Sequence, residues 1–211
     1  MKRYLLWDND GVLVDTELWY FEATRRALAN LNITLEQEIY LQRMSRGQSS
    51  WELAQAAGVD PSDIKAARHQ RDAYYQQYLA QQDIEISGVE EVLEALALTH
   101  RMAIVTTSRS VDFNLIHSGR NINSHMEFTL TREDYVFSKP DPEPYITALK
   151  RFGADPESCL VIEDSQRGLQ SAIAAGIDCA IVHNDFTANH NFSGARYMLG
   201  SIKEMLNILS A

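Results

Sequence analysis

The feature that most limits this chain is a rhythm: short apolar runs, each stopped by acids or hydroxyls and followed by a helical pattern. Met102–Val105 runs into Thr106-Thr107-Ser108, and Cys159–Ile162 into Glu163-Asp164-Ser165. Such runs read as short strands. Helical patterns lie at Gly88–Leu98, Ser110–Ser118, Pro142–Phe152 and Gln166–Ala175. Further short strands are expected at Phe128–Leu130 and Ala180–Val182, and a last helix at Ile202–Leu209. Strand–helix alternation of this kind predicts an α/β fold, a parallel sheet with helices on both faces.

Arg3–Trp7 reads as one more buried strand, ended by Asp8. The next stretch breaks the rhythm. Leu18, Phe21, Leu28 and Leu31 give Glu17–Leu31 an amphipathic helical spacing. Helical patterns continue through Glu36–Met44, Ser49–Ala57 and Asp60–Gln82, punctuated by Gly47, Gly58 and Pro61. The simplest arrangement is a core of residues 1–15 and 86–211, with an all-helical insert of residues 16–85 placed after the first strand.

With 211 residues the chain is long enough for a domain plus a smaller insert. Its net charge of -10 argues against a sequence-independent grip on nucleic acid. An anionic substrate would need cations concentrated at its site. The first apolar run stops at Asp8, too short for a signal-peptide core, and no other run is long enough to span a bilayer. The expectation is a cytoplasmic protein with no membrane partner, a monomer being favoured. Cys159 and Cys179 sit in apolar runs and read as small buried hydrophobes.

In an open parallel sheet, ligands bind beyond the carboxyl ends of the strands. There this chain carries Asp8-Asn9-Asp10-Gly11, Thr106-Thr107-Ser108 and Glu163-Asp164-Ser165, with Ser138-Lys139-Pro140-Asp141-Pro142 in a loop before a helix. Asp8 and Asp164 make a hard oxygen site suited to Mg2+, while Lys139 and the hydroxyls suit phosphate oxygens. Asp8 attacking a phosphate anion meets repulsion of about 4 kcal/mol per charge pair at ~4 Å and an effective dielectric of about 20. Mg2+ and Lys139 together can offset that, giving an aspartyl-phosphate. Asp10 can protonate the leaving oxygen and later activate water.

Four segments in order resemble the motifs of the haloacid dehalogenase-like superfamily: Asp8-Asn9-Asp10-Gly11-Val12-Leu13-Val14-Asp15-Thr16-Glu17, then Thr106, then Lys139-Pro140-Asp141-Pro142, then Glu163-Asp164-Ser165-Gln166-Arg167-Gly168. The resemblance implies a Rossmann-like core with a helical cap inserted after the first motif. It implies Asp8 as nucleophile, Asp10 as general acid/base, and Thr106 and Lys139 as ligands of the transferring phosphoryl group. It implies Mg2+ held by the side chains of Asp8 and Asp164 and the backbone carbonyl of Asp10, with Glu163 beside the ion. Thr107, Ser108 and Arg109 are candidate substrate contacts after the second motif, and Arg46 a candidate contact from the insert.

The resulting expectation is an Mg2+-dependent phosphatase acting on a small phosphorylated metabolite, such as a sugar phosphate. The alternatives are a phosphosugar mutase of the beta-phosphoglucomutase type and a non-catalytic phosphate-binding or signalling module. Tyr20 stands where the mutases carry a cap histidine, and Gln70 where they carry a cap lysine, which favours hydrolysis. Some candidates also have plainer readings: Thr106 as a helix cap, Glu163 as an acceptor for a backbone N–H, and Arg46 as a solvated arginine.

Overall fold

The computed structural model describes residues 2–209; residues 1, 210 and 211, which the expected core includes, lie outside the described residues. Its elements run β1 (Tyr4–Trp7), α1 (Glu17–Ala29), α2 (Gln37–Ser45), α3 (Glu52–Ala56), α4 (Pro61–Gln81), α5 (Val89–Ala97), β2 (Arg101–Val105), α6 (Ser110–Ile116), β3 (Phe128–Leu130), α7 (Glu143–Phe152), β4 (Cys159–Glu163), α8 (Gln166–Ala174), β5 (Asp178–Val182), β6 (Tyr197–Leu199) and α9 (Met205–Leu209). They form two compact units, Met1–Asp15 with Glu85–Ala211, and Thr16–Ile84.

The first unit holds a six-stranded sheet in the order β3-β2-β1-β4-β5-β6, parallel throughout. All four residues of β1 are buried, as expected for a central strand covered on both faces. On one face Tyr4, Leu6, Ala103, Val105, Cys159 and Val161 pack with Tyr145, Ala148, Leu149 and Phe152 of α7 and Leu169 and Ala172 of α8. Leu5, Trp7, Met102, Ile104, Leu160 and Ile162 alternate with these and are equally buried. The amphipathic spacing of α5 buries Val89, Val92, Leu93 and Leu96.

Trp7 lies opposite both Ile104 and Ile162, so β2 and β4 end one residue beyond β1. The strand order reverses between β1 and β4, because β2 and β3 add on one side and β4 to β6 on the other. A crevice opens at such a switch point. Asp8 and Asp164, the first residues past β1 and β4, stand at it.

The second unit is all helical. α1 packs along α4, burying Phe21, Ala23, Ala27 and Leu28 with Ile64, Ala67, Tyr75 and Leu79. Tyr20 meets Tyr75 edge-on at 5.2 Å between centroids, and Trp19 meets Tyr78 at 5.7 Å. Of the tyrosines on α4, Tyr75 is buried and Tyr74 and Tyr78 are half-buried; the Arg26 guanidinium lies 3.9 Å over the Tyr74 ring.

The structure adds β6, which no apolar run announces: Tyr197 is half-buried, Met198 exposed, and only Leu199 buried. β5 begins at exposed Asp178, before its apolar residues, because Asp178 already lies opposite Leu160. The last helix starts as a tight turn at Ile202–Glu204. Among the described residues no helix is long and apolar enough to cross a membrane. Cys159 and Cys179 are buried free thiols.

Candidate active site

Asp8 extends the β1 ladder by one bond, its N–H donating to the Ile162 carbonyl at 2.8 Å. The chain then turns sharply around Asn9, whose carbonyl accepts from Leu13 at 2.8 Å, Val14 at 3.2 Å and Val12 at 3.3 Å. Gly11 adopts φ +83°, and a Cβ there would stand 2.2 Å from Asp164 Oδ2. Only glycine lets this loop approach the end of β4 so closely.

Lys139 is buried and uses all three ammonium hydrogens: Nζ donates to Asp8 Oδ1 at 2.7 Å, Glu163 Oε1 at 2.7 Å and the Val105 carbonyl at 2.8 Å. Glu163 is 0% exposed and heavily committed. Its Oε1 also accepts from Tyr145 Oη at 2.9 Å. Its Oε2 accepts from Ser165 Oγ at 2.9 Å, Asp164 N at 3.2 Å and Ser165 N at 3.3 Å. Space for this carboxylate depends on Gly168, where a Cβ would fall 1.7 Å from Glu163 Cδ.

Burial sets the electrostatics. For Asp8, burial and the neighbouring charges of Glu163 and Asp10 outweigh Lys139 and push the carboxyl up to about 7. For Glu163, burial opposes the charge, but the Lys139 ammonium and the donors of Ser165 and Tyr145 hold it below the ordinary range. For Lys139, burial is outweighed by Asp8 and Glu163, which hold the ammonium above the usual lysine range. The charge-assisted bonds on both sides of Lys139 are of the strong, geometry-fixing kind.

Asp10 meets the hydroxyls that follow the end of β2. Its Oδ2 accepts from Ser108 Oγ at 2.6 Å and from Thr106 Oγ1 at 3.3 Å. Thr106 is fully buried, and its Oγ1 accepts from Ser108 N at 3.0 Å. Tyr135 Oη donates to the Thr106 carbonyl at 2.6 Å and braces the end of β2.

Asp8, Glu163 and Asp164 each offer a carboxylate oxygen within 4.8 Å of the others. The donor set is all hard oxygen, which fits Mg2+. Acid in excess of the single buried lysine fits a further cation as well. Because both oxygens of Glu163 are taken by protein donors, Asp8 and Asp164 are the better candidates for direct ligation.

The structure thus brings Asp8, Asp10, Thr106, Ser108, Lys139, Glu163 and Asp164 to one edge. Thr107 is half-buried in the same loop as Ser108. Arg109 stands at the start of α6 and donates from Nε to Asp112 Oδ2 at 2.8 Å. Arg46 belongs to the helical unit, exposed at the end of α2.

Several site residues escaped the sequence reading. Tyr145 is one, and nothing in its spacing announces the bond to Glu163. Asn9 and His117 form a buried pair, Oδ1 to Nε2 at 2.7 Å, across 108 positions of sequence. An asparagine between two acids in a buried loop was the one available signal. Asn184, past β5, donates to the Gly11 carbonyl at 3.4 Å.

The family model described as haloacid dehalogenase-like hydrolase matches residues 5–182. A phosphoglycolate phosphatase of Colwellia psychrerythraea is 30% identical, covering 84% of this chain and 82% of that protein. A fructose-1-phosphate phosphatase of Escherichia coli is 27% identical, covering 86% and 97%. The crystal structure of CbbY from Rhodobacter sphaeroides in complex with phosphate superposes with a TM-score of 0.82 at 23% identity, covering 97% and 96%, which shows the shared fold.

Proposed function

The chain belongs to the haloacid dehalogenase-like hydrolase family and is a phosphatase of that family, and on this premise we propose that it hydrolyses a small phosphorylated metabolite, a sugar phosphate in particular, with Mg2+ and through a phosphorylated Asp8. The observation that carries the reading is Lys139 bridging Asp8 and Glu163 beside Asp164. That arrangement supplies a fixed carboxylate nucleophile and a cation at the place where a phosphoryl group would transfer. The names of the two curated relatives cover a sugar phosphate and phosphoglycolate, both small phosphate monoesters.

In this mechanism an Asp8 carboxylate oxygen attacks phosphorus while the bond to the leaving oxygen breaks. Asp10 gives its proton to that oxygen, so the alcohol departs neutral. Asp10 then takes a proton from water, which attacks the aspartyl-phosphate, releases inorganic phosphate and restores Asp8. Lys139 holds Asp8 in line and neutralises charge on the transferring oxygens, and Glu163 keeps Lys139 in place. Thr106, whose hydroxyl donates to Asp10 only at the long distance of 3.3 Å, would turn it to the same oxygens once a phosphoryl group is bound. The side chains of Asp8 and Asp164 with the Asp10 carbonyl would hold Mg2+, whose bound charge offsets the repulsion between nucleophile and phosphate.

The helical insert, residues 16–85, is assigned the role of a cap that sets substrate choice, with Arg46 as its candidate substrate contact. The test is phosphate release from a panel of phosphorylated metabolites, with Mg2+ and with EDTA. Release that depends on Mg2+ supports the reading, and isomerised sugar phosphate seen by phosphorus NMR would replace it with the mutase.

A further inference from the structure

Ser108, two residues past the hydroxyl of Thr106, has the residue type and position of a phosphate contact. Its geometry says otherwise. The Ser108 hydroxyl carries one hydrogen, and that hydrogen goes to Asp10 Oδ2 at 2.6 Å. The serine is clamped at both backbone ends: its N–H donates to Thr106 Oγ1 at 3.0 Å, and its carbonyl accepts from Arg132 N at 2.9 Å. The second donor to Asp10, Thr106 Oγ1, meets the same oxygen from farther off, at 3.3 Å. Two hydroxyls converging on one oxygen fix the rotation of the carboxylate about its own bond, and Ser108 is the shorter contact.

We propose that Ser108 is a positioning residue for the acid–base step: it orients the Asp10 carboxyl toward the leaving oxygen and does not bind the substrate phosphate. This rests on the reading of Asp10 as the general acid, and the experiment separates the two. A positioned acid matters most when the leaving group is a poor one, as for an alkyl phosphate. It matters little for p-nitrophenyl phosphate, whose leaving oxygen needs no proton.

The experiment measures kcat and KM of the full chain with Mg2+ on an alkyl phosphate and on p-nitrophenyl phosphate. Wild type, Ser108→Ala, Ser108→Thr, Asp10→Asn and the double variant Asp10→Asn/Ser108→Ala are compared. General acid catalysis contributes about 10² to 10⁴-fold, so Ser108→Ala is expected to lose on the order of 30-fold in kcat on the alkyl ester. On the aryl ester it should stay within about threefold, with KM little changed on either. Ser108→Thr, which keeps the hydroxyl, should restore the alkyl rate, and Ser108→Ala should cost nothing further once Asp10 is Asn. A rise in KM at constant kcat would make Ser108 a substrate contact and overturn the proposal. Equal losses on both esters, unrelieved by threonine, would make it merely structural and overturn it too. If Asp10→Asn itself shows no leaving-group dependence, the premise about Asp10 fails on its own evidence and the proposal goes with it.

Discussion

Asp8 and Glu163 share one lysine and are driven in opposite directions. Glu163 collects five donors, so its charge is stabilised even at full burial. Asp8 has Lys139 on one oxygen and two acidic neighbours, and its carboxyl rises. That imbalance makes Asp8 the more readily protonated of the two acids, so the proposed attack needs a cation near its carboxylate to hold it ionised. Asp8→Asn should abolish phosphate release, by about 10³-fold or more, while leaving the thermal transition within a few degrees, since Lys139 keeps Glu163. Retained turnover would refute the covalent mechanism. Gly168→Ala is a second residue-scale case. Alanine in a helix interior ordinarily adds up to about 1 kcal/mol, but here the new Cβ would strike Glu163. Overpacking of about 1–3 kcal/mol should win, and urea denaturation would show a lower midpoint.

The Asn9–His117 pair shows what a sequence hides at this scale. Burial holds His117 down to about 4, so its ring is neutral and donates once. His117→Phe leaves Asn9 buried without that donor and should cost about 1–3 kcal/mol. Adding Asn9→Leu, which removes the second polar group, should recover most of the loss. Strictly additive losses in denaturation would mean the two side chains do not act as a pair. By contrast Asp8, Asp10, Thr106, Lys139 and Asp164 were readable, because each follows a strand or precedes a helix at a position where chain direction alone delivers it to the crevice. Tyr145 comes from a helix face and His117 from the residue that ends α6, and their aim depends on packing that no local pattern encodes.

Elements follow the same division. β1, β2 and β4 are buried on both faces and therefore announce themselves as continuous apolar runs. β6 is a three-residue edge strand with a single buried side chain, so its composition matches that of a loop. α8 was legible from its pattern, but its start does double duty that only the structure shows. Ser165 Oγ accepts from Gly168 N at 3.1 Å as the N-cap, and donates to Glu163 at 2.9 Å. Ser165→Ala should lower stability by about 1 kcal/mol through the lost cap. Chemical denaturation monitored by circular dichroism measures this, and an unchanged midpoint would show that the cap contributes nothing.

At the scale of the whole molecule, a chain of net charge -10 gathers acids at one sheet edge against a single buried lysine. The consequence is a linkage between pH, metal and stability. The Asp8 carboxyl sits near 3.8 in the unfolded chain and about 7 in the folded one. Between those values the folded state binds more protons, so this group's contribution is present below 3.8 and lost as pH rises through about 7. His117 runs the other way: its value falls from 6.5 to about 4, so its contribution is lost as pH falls through that window. The two oppose each other at mildly acid pH, and near 7 only the Asp8 loss continues. A cation bound by Asp8 and Asp164 must displace the Asp8 proton, so its binding strengthens with pH until that proton is gone. The rise in thermal midpoint given by excess Mg2+ over EDTA should therefore grow between about pH 5.5 and 8, then level off. Asp8→Asn should flatten that growth, whereas His117→Phe should leave the Mg2+ increment unchanged while altering the acid limb in EDTA. A metal increment equal at both ends of the range in the wild-type protein would mean that Asp8 is not the group that gives up its proton to the ion.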